Sequence, residues 1–321
     1  MRKRILYFFQ LIITITLFYF IVQKYQFSWN KLILTFQQPV WLIFSLSLSL
    51  VFIPILAAAR WKIFLNLIGI RMQLLELVKI NFESIFWGTF LPSSDGFSAI
   101  RIYKIERKFT EFPGRSGSTV IAEKLLGFCT LCLFSLLFSF YLKSIPNIVT
   151  IRLIILLIIL TLVVLILLIF NKILYDFISH FLLKSKISTK LSIFISNIHD
   201  SPVKLPKLPM LTTALPLIMI IQVCTFLNVY FLFKAIGFKI SLVNHLAIVP
   251  VIQIISLIPL TLSGLGIREG AFVYFYGFLG VKPEIAFTVS ILNFLILNGI
   301  PAVIGGIISI VSQLKKPRIS T

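Results

Sequence analysis

Two short stretches of this sequence combine helix-breaking backbone with groups that bind anions. The first, FLPSSDGFSAIR, covers residues 90–101, and the second, IPLTLSGLGIRE, covers residues 258–269. Each has a proline after an apolar residue, then small hydroxyl residues and glycine. Each then has an arginine nine positions past the proline, Pro92 to Arg101 and Pro259 to Arg268. The hydroxyls of Ser93, Ser94, Thr261 and Ser263 can bond backbone groups that leave regular structure. Gly264 and Gly266 permit a sharp turn into a helix, whose first N–H groups are donors to an anion. A nearby arginine would complete a phosphate-sized site with its two-pronged guanidinium. Other ionisable residues in or beside apolar runs are Glu83, Asp95, Glu123, Lys124 and Glu269. Charge at membrane depth is costly enough that such groups default to functional candidates. The plainer alternative makes Arg101 and Arg268 interfacial anchors.

The elements that must hold these groups are membrane helices. Over 321 residues, 59% are hydrophobic and only 12% charged, with mean hydropathy +1.04. A water-soluble globule could not cover so much apolar surface, and the same balance excludes disorder, collagen, coiled coil and a disulfide-rich secreted domain. The formal charge of +20 would suggest nucleic acid in a soluble protein. Here the basic residues cluster in short loops between apolar runs, so topology and anionic lipid account for them, and no nucleic-acid partner is expected.

Runs near or above the ~20 residues that cross a bilayer occupy 5–22, 40–59, 118–141, 148–170, 211–234 and 284–312. Shorter or interrupted runs lie at 74–91, 245–262 and 264–281. The first 22 residues resemble a signal peptide, but the apolar stretch is long and no small-residue cleavage site follows, so a retained first helix is expected. Between 172 and 210 lies a lysine-rich stretch with apolar residues at helical spacing, which reads as an interfacial amphipathic loop followed by the proline-rich linker 201–209. If 74–91 enters and leaves on one side, 22 of the 30 basic residues fall inside and 7 outside, with Arg268 left over. The positive-inside tendency thus favours re-entrance at 74–91 and cytoplasmic N- and C-termini.

The flanks of the two motifs also correspond. Helix 40–59 leads the first as 211–234 leads the second, and 118–141 follows the first as 284–312 follows the second. The span 148–170 between them would invert the second unit, an architecture of transporters. Cys129 and Cys132 form a CxxC, but within an apolar run, and read as small helix-face residues; His180, His199 and His245 match no ligand spacing. Neither a metal site nor a nucleophile–base pair is evident, so no cofactor and no enzymatic activity are expected.

The stretches FLPSSDGFSAIRIYKIER (90–107), STVIAEKLLGF (118–128) and SGLGIREGAFVYFYGFLGV (263–281) resemble the flippase-like membrane domain of lysylphosphatidylglycerol synthases. The resemblance runs from about 40 to 312. Where that family has Gly-Gly-Asp, this chain reads Gly96-Phe97-Ser98, with its acid earlier at Asp95. The resemblance implies a stand-alone membrane domain, without the aminoacyl-transfer domain of the synthases, that translocates lipid rather than making it.

The expected fold is therefore an all-α polytopic membrane bundle with re-entrant or broken helices and an inverted repeat. Unit A covers about 40–141, unit B about 211–312, and the cytoplasmic loop 172–210 joins them. The expected function is a flippase or transporter that moves a polar, phosphate-bearing lipid or lipid-linked glycan between leaflets of the inner (plasma) membrane. Substrate-binding candidates are Ser93, Asp95, Arg101, Glu123, Lys124, Gly264, Gly266, Arg268 and Glu269. The alternative is a non-transporting accessory protein for an envelope glycosyltransferase or lipid-modifying enzyme, docked through the basic loop.

Overall fold

The computed structural model describes residues 37–89, 96–110, 115–141, 148–170, 210–257 and 264–314, together with a few isolated positions. The expected first span 5–22, the loop 172–209, both proline positions of the two motifs, and Ser93 and Asp95 lie outside the described residues.

What is described is helical, without strands, as an apolar chain in lipid requires: every backbone polar group must bond within the segment. Helix α1 spans Pro39–Leu67, α2 Leu74–Thr89, α3 Gly96–Lys108, α4 Arg115–Ser139 and α5 Ile148–Phe170. Then come α6 (Leu215–Ala235), α7 (Leu242–Ser256), α8 (Ile267–Gly277) and α9, which runs from Pro283 to Leu314. Among the described residues four helices are long and apolar enough to cross a membrane: Pro39–Leu67, Ser116–Ser139, Thr212–Ala235 and Pro283–Ser312. The first of these outruns its expected end at residue 59, because Arg60 and Lys62 lie within the helix and do not terminate it. The remaining expected span, 148–170, is helical along its length.

Two hairpins follow from the interrupted runs, the first of them completed by α3, which no apolar run marks. Helices α2 and α3 pack against each other, and the pairs Glu83–Lys104 and Glu76–Lys108 fix them antiparallel. At 16 residues, α2 is about 24 Å long, short of the ~30 Å apolar core of a bilayer. Helices α7 and α8 form the second hairpin. There the Tyr276 hydroxyl donates to His245 Nδ1 at 2.9 Å, and His245 Nε2 donates to the Phe226 carbonyl at 2.8 Å, tying both helices to α6.

One helix of each hairpin packs on the other half of the chain. Helix α2 packs along the second half of α9, and α7 packs along α4. The α2–α9 contact is close because Gly305 lacks a side chain; a Cβ there would overlap the Phe82 carbonyl oxygen. Trp87 Nε1 donates to Ser309 Oγ across the same interface, at 3.0 Å. In the centre α1 runs antiparallel to α6, with the Gln37 and Gln38 N–H groups both on the Ala235 carbonyl at 3.0 and 3.1 Å. Here the core holds a polar knot: Ser45 and Ser49 donate to Asn228 Oδ1 at 2.7 and 2.8 Å, and Asn228 Nδ2 donates to Asn293 Oδ1 at 2.9 Å.

Among the described residues three π turns occur: Leu48–Phe52 within α1, Met210–Ala214 leading into α6, and Leu295–Gly299 within α9. Each is followed two residues later by proline: Pro54, Pro216 and Pro301. Proline cannot donate and its ring crowds the carbonyl four residues back, so the widened turn absorbs a misfit that would otherwise kink the helix sharply.

Candidate functional site

Arg60 on α1, Arg101 on α3 and Glu123 on α4 meet in a corner between α1, α2, α3 and α4. Glu123 accepts a two-pronged pair from Arg101, with Nη1 to Oε1 at 3.2 Å and Nη2 to Oε2 at 2.9 Å. Arg60 Nη2 donates to the same Oε1. The side chains of Arg101 and Glu123 are 4% and 5% exposed and that of Arg60 is 16%, so the corner opens on the Arg60 side. Among the described residues two guanidiniums share this one carboxylate, one positive charge more than it balances.

The platform beneath it is aromatic. The Arg101 guanidinium carbon lies 3.9 Å from the centre of the Trp61 ring and 5.1 Å from that of Phe97. A cation desolvated against a ring face is held by its quadrupole, which compensates part of the lost hydration. Trp61 is itself fully buried among Ala58, Leu65, Leu77, Ile80 and Ile105.

Donors remain unused in this corner. Arg60 Nε, Trp61 Nε1 and Arg101 Nε are buried without a hydrogen-bond partner, as are Asn81 Oδ1 and Ser84 Oγ on α2. Those two α2 residues lie on one helical stripe with Leu77 and Gly88. Leu77 packs in the Trp61 cluster, and a Cβ on Gly88 would come within 2.6 Å of the Phe97 nitrogen, so the stripe faces α1 and α3. Buried polar groups are nearly always bonded, so five unpartnered atoms around one corner set it apart among the described residues.

The second motif makes a different kind of cluster. Gly266 turns the chain with φ 87° and caps α8. Its N–H donates to Glu269 Oε2 at 2.6 Å, so this nitrogen is not left open for an anion as the Gly-rich approach suggested. Arg268 Nε donates to Glu269 Oε1 at 3.0 Å, its Nη2 reaches the same oxygen, and its guanidinium carbon sits 4.6 Å from the centre of the Phe294 ring. Ser290 Oγ lies 3.4 Å from both Arg268 Nε and Glu269 Oε1. This pair is one to one and internally neutral. Among the described residues no hydrogen bond or ion pair links Arg268 or Glu269 to Arg101 or Glu123, so the two motifs build two separate clusters. Gly264 is buried with φ 71°, and Lys124, next to Glu123, is exposed. The residues that sequence reasoning passed over are Arg60 and Trp61; their signal was an arginine inside a helix-compatible run, AAARWKIF.

The profile described as "Lysylphosphatidylglycerol synthase TM region" matches residues 7–305. The chain belongs to that family. It is also similar to a protein from Methanothermobacter thermautotrophicus described as "UPF0104 membrane protein", at 30% identity over 86 residues. That stretch is 27% of this chain and 25% of the relative, so the chain spans about a quarter of that relative's length. The family and the four candidate spans make this a multi-pass membrane protein of a lipid-modification family.

Proposed function

We propose that this protein moves a lipid with a polar, phosphate-bearing head between the leaflets of the cell membrane, without a bond-making or bond-breaking step. The observation that carries the reading is the buried Arg60–Glu123–Arg101 cluster, which among the described residues sets two guanidiniums against one carboxylate and keeps further N–H donors unbonded. Its aromatic base and two-pronged arginine suit a phosphate that must shed water on entering.

In this reading the chain is an inverted repeat, and the exchanged packing of α2 on α9 and α7 on α4 supports it. With both termini cytoplasmic, the Arg101 corner lies in the inner half of the membrane and the Arg268–Glu269 pair in the outer half. A head would pass from the first to the second, with Arg268 leaving Glu269 to receive it. A lipid-linked glycan would satisfy the same chemistry as a phospholipid, because the corner addresses the phosphate.

The test is a scramblase-type assay. The full chain is reconstituted into vesicles holding a fluorescent phospholipid in both leaflets, and the outer leaflet is bleached chemically. Loss of inner-leaflet signal faster than in protein-free vesicles, and its slowing by Arg101→Gln, is the expected result. Vesicles that bleach no faster with the protein than without overturn the reading. The accessory role for an envelope enzyme would then take its place, to be sought by co-purification.

A further inference from the structure

We propose that the polar knot between α1, α6 and α9 binds a small monovalent cation of about the size of sodium, through the side-chain oxygens of Ser45, Ser49, Asn228 and Asn293. The site uses none of the residues of the arginine corner and does not depend on the lipid reading.

Oxygen is gathered here on one point. The hydroxyls of Ser45 and Ser49 meet Asn228 Oδ1 at 2.7 and 2.8 Å, so three side-chain oxygens from two helices already converge. Asn228 Nδ2 holds Asn293 Oδ1 beside them at 2.9 Å. Ser45, Ser49 and Asn228 are at most 2% exposed. A hydroxyl that donates still keeps its two lone pairs. Ser45 and Ser49 can also turn their O–H groups to carbonyls one turn back in their own helix. That rotation frees three oxygens at once for a cation and strands no donor. Asn228 Nδ2 keeps its bond to Asn293 Oδ1, whose second lone pair completes the side-chain set.

The backbone adds to the supply. At the first π turn the Ile53 N–H bonds the Leu48 carbonyl, and the next residue that could serve the Ser49 carbonyl is Pro54, which has no N–H. In α9 the Ile300 N–H bonds the Leu295 carbonyl and Pro301 follows, so the Ile296 carbonyl is bypassed in the same way. The two turns pack against each other, and the first also packs on α6. Proline explains each turn by itself, but not their meeting beside the knot. Irregular backbone at membrane depth is tolerated where it lines a protein cavity, and unwound carbonyls are cation ligands in transporters. The segments 39–59, 212–233 and 285–314, which form the knot and both turns, carry no Asp, Glu, Lys, Arg or His. Neutral oxygens suit a single positive charge, whereas a divalent ion asks for carboxylates.

The experiment measures the ion itself. The full chain in detergent at pH 8 is titrated with radiolabelled sodium, with choline chloride holding the ionic strength, and bound label is read by scintillation proximity. Wild type should bind sodium saturably as a single class of site, displaced by unlabelled sodium and not by choline. Ser49→Ala removes one ligand and should weaken binding by about tenfold or more. Asn228→Asp keeps the shape and adds a negative charge among the oxygens, so it should tighten binding by about tenfold or more. A damaged fold cannot imitate that gain. Thr161→Val, on an exposed part of α5, should bind as wild type does. Sodium should also raise the midpoint of thermal unfolding, because it binds only the folded chain, and more steeply for Asn228→Asp than for wild type. No saturable binding by wild type overturns the proposal, whatever the variants do. Saturable binding that Ser49→Ala and Asn228→Asp both leave at the wild-type affinity overturns it as well, since the ion then sits elsewhere.

Discussion

The guanidinium of Arg101 lies over the Trp61 ring, 3.9 Å from carbon to ring centre, so the arginine is held from below by the ring and from the side by both oxygens of Glu123. A side chain held on two faces is preorganised, and its replacement by a point charge forfeits both. Arg101→Lys should therefore cost about 1.5–3 kcal/mol of anion binding, roughly 10–150-fold, although the charge stays. Arg268→Lys should slow translocation as well, because the second cluster also sets a planar guanidinium over Phe294. Arg107→Lys, on the exposed side of α3, is the matched control. Initial rates in the vesicle assay, normalised to reconstituted protein, give the comparison. Equal rates for all three variants and wild type would make Arg101 and Arg268 anchors.

Glu123 should be a pillar of stability. Its removal as Glu123→Ala strands two buried cations, a change that costs about 3–5 kcal/mol in buried pairs. Glu76→Ala breaks the exposed pair with Lys108 and should cost no more than about 1 kcal/mol. Thermal unfolding in detergent, followed by near-UV circular dichroism, should rank the two in that order. Loss of equal size in both would mean that the corner is wet.

Asn228→Ala should destabilise by about 1–3 kcal/mol. It leaves the hydroxyls of Ser45 and Ser49 and the amide of Asn293 without their shared partner, and interhelical hydrogen bonds in membranes are worth about 0.6 kcal/mol each on average. Ser49→Ala, which removes one donor and leaves Asn228 bonded to Ser45 and Asn293, should cost less than half as much in the same melt.

Gly305→Ala tests the exchanged packing. A methyl there meets backbone, the Phe82 carbonyl, and not a side chain that could turn away. Overpacking costs about 1–3 kcal/mol even where side chains can shift, so this variant should lie at the top of that range or fail to assemble. Gly270→Ala, where a Cβ meets nothing within 4 Å, should be neutral or stabilising by about 0.5–1 kcal/mol. Monodisperse yield on size-exclusion chromatography separates the two.

The orientation is open to labelling. Thr110 is exposed after α3, so in a background with Cys129, Cys132 and Cys224 replaced, Thr110→Cys should react with a membrane-impermeant maleimide only in permeabilised cells. Reaction in intact cells would place this loop outside and undo the inner and outer assignment of the two clusters.

Much of the scaffold was legible because lipid enforces it. Apolar length marks the four candidate spans among the described residues, and proline and glycine mark the broken runs 74–91 and 245–281, but α3, a weakly apolar helix that completes the first hairpin, carries no such signal. Arg101 and Glu123 stood out as charges beside apolar runs, but their third partner did not. Arg60 reads in sequence as the charge that closes an apolar run, and its partner Glu123 lies 63 residues away along the chain. Asn228 and Asn293 were equally silent, since one amide in a long apolar run looks the same whether it faces lipid or a knot of hydroxyls. Gly266 was read as an open anion cradle, yet the carboxylate that fills it is only three residues on. A capping box competes for the same N–H groups as a phosphate, and the local partner was present in the sequence.

The π turns at Leu48–Phe52 and Leu295–Gly299 leave each long helix with one residue more than a regular winding would hold. An extra residue rotates everything beyond it by about 100°. In α1 this lets Ser45 and Ser49 address α6 while Arg60 and Trp61, a few turns later, address α3 and α4, from what is nominally one rod. The helix acts as a coupling with two phases. Removing one residue from the turn would leave both ends intact as sequences and as helices, yet would swing Arg60 off Glu123, so an error of a single codon far from any charge could silence the corner.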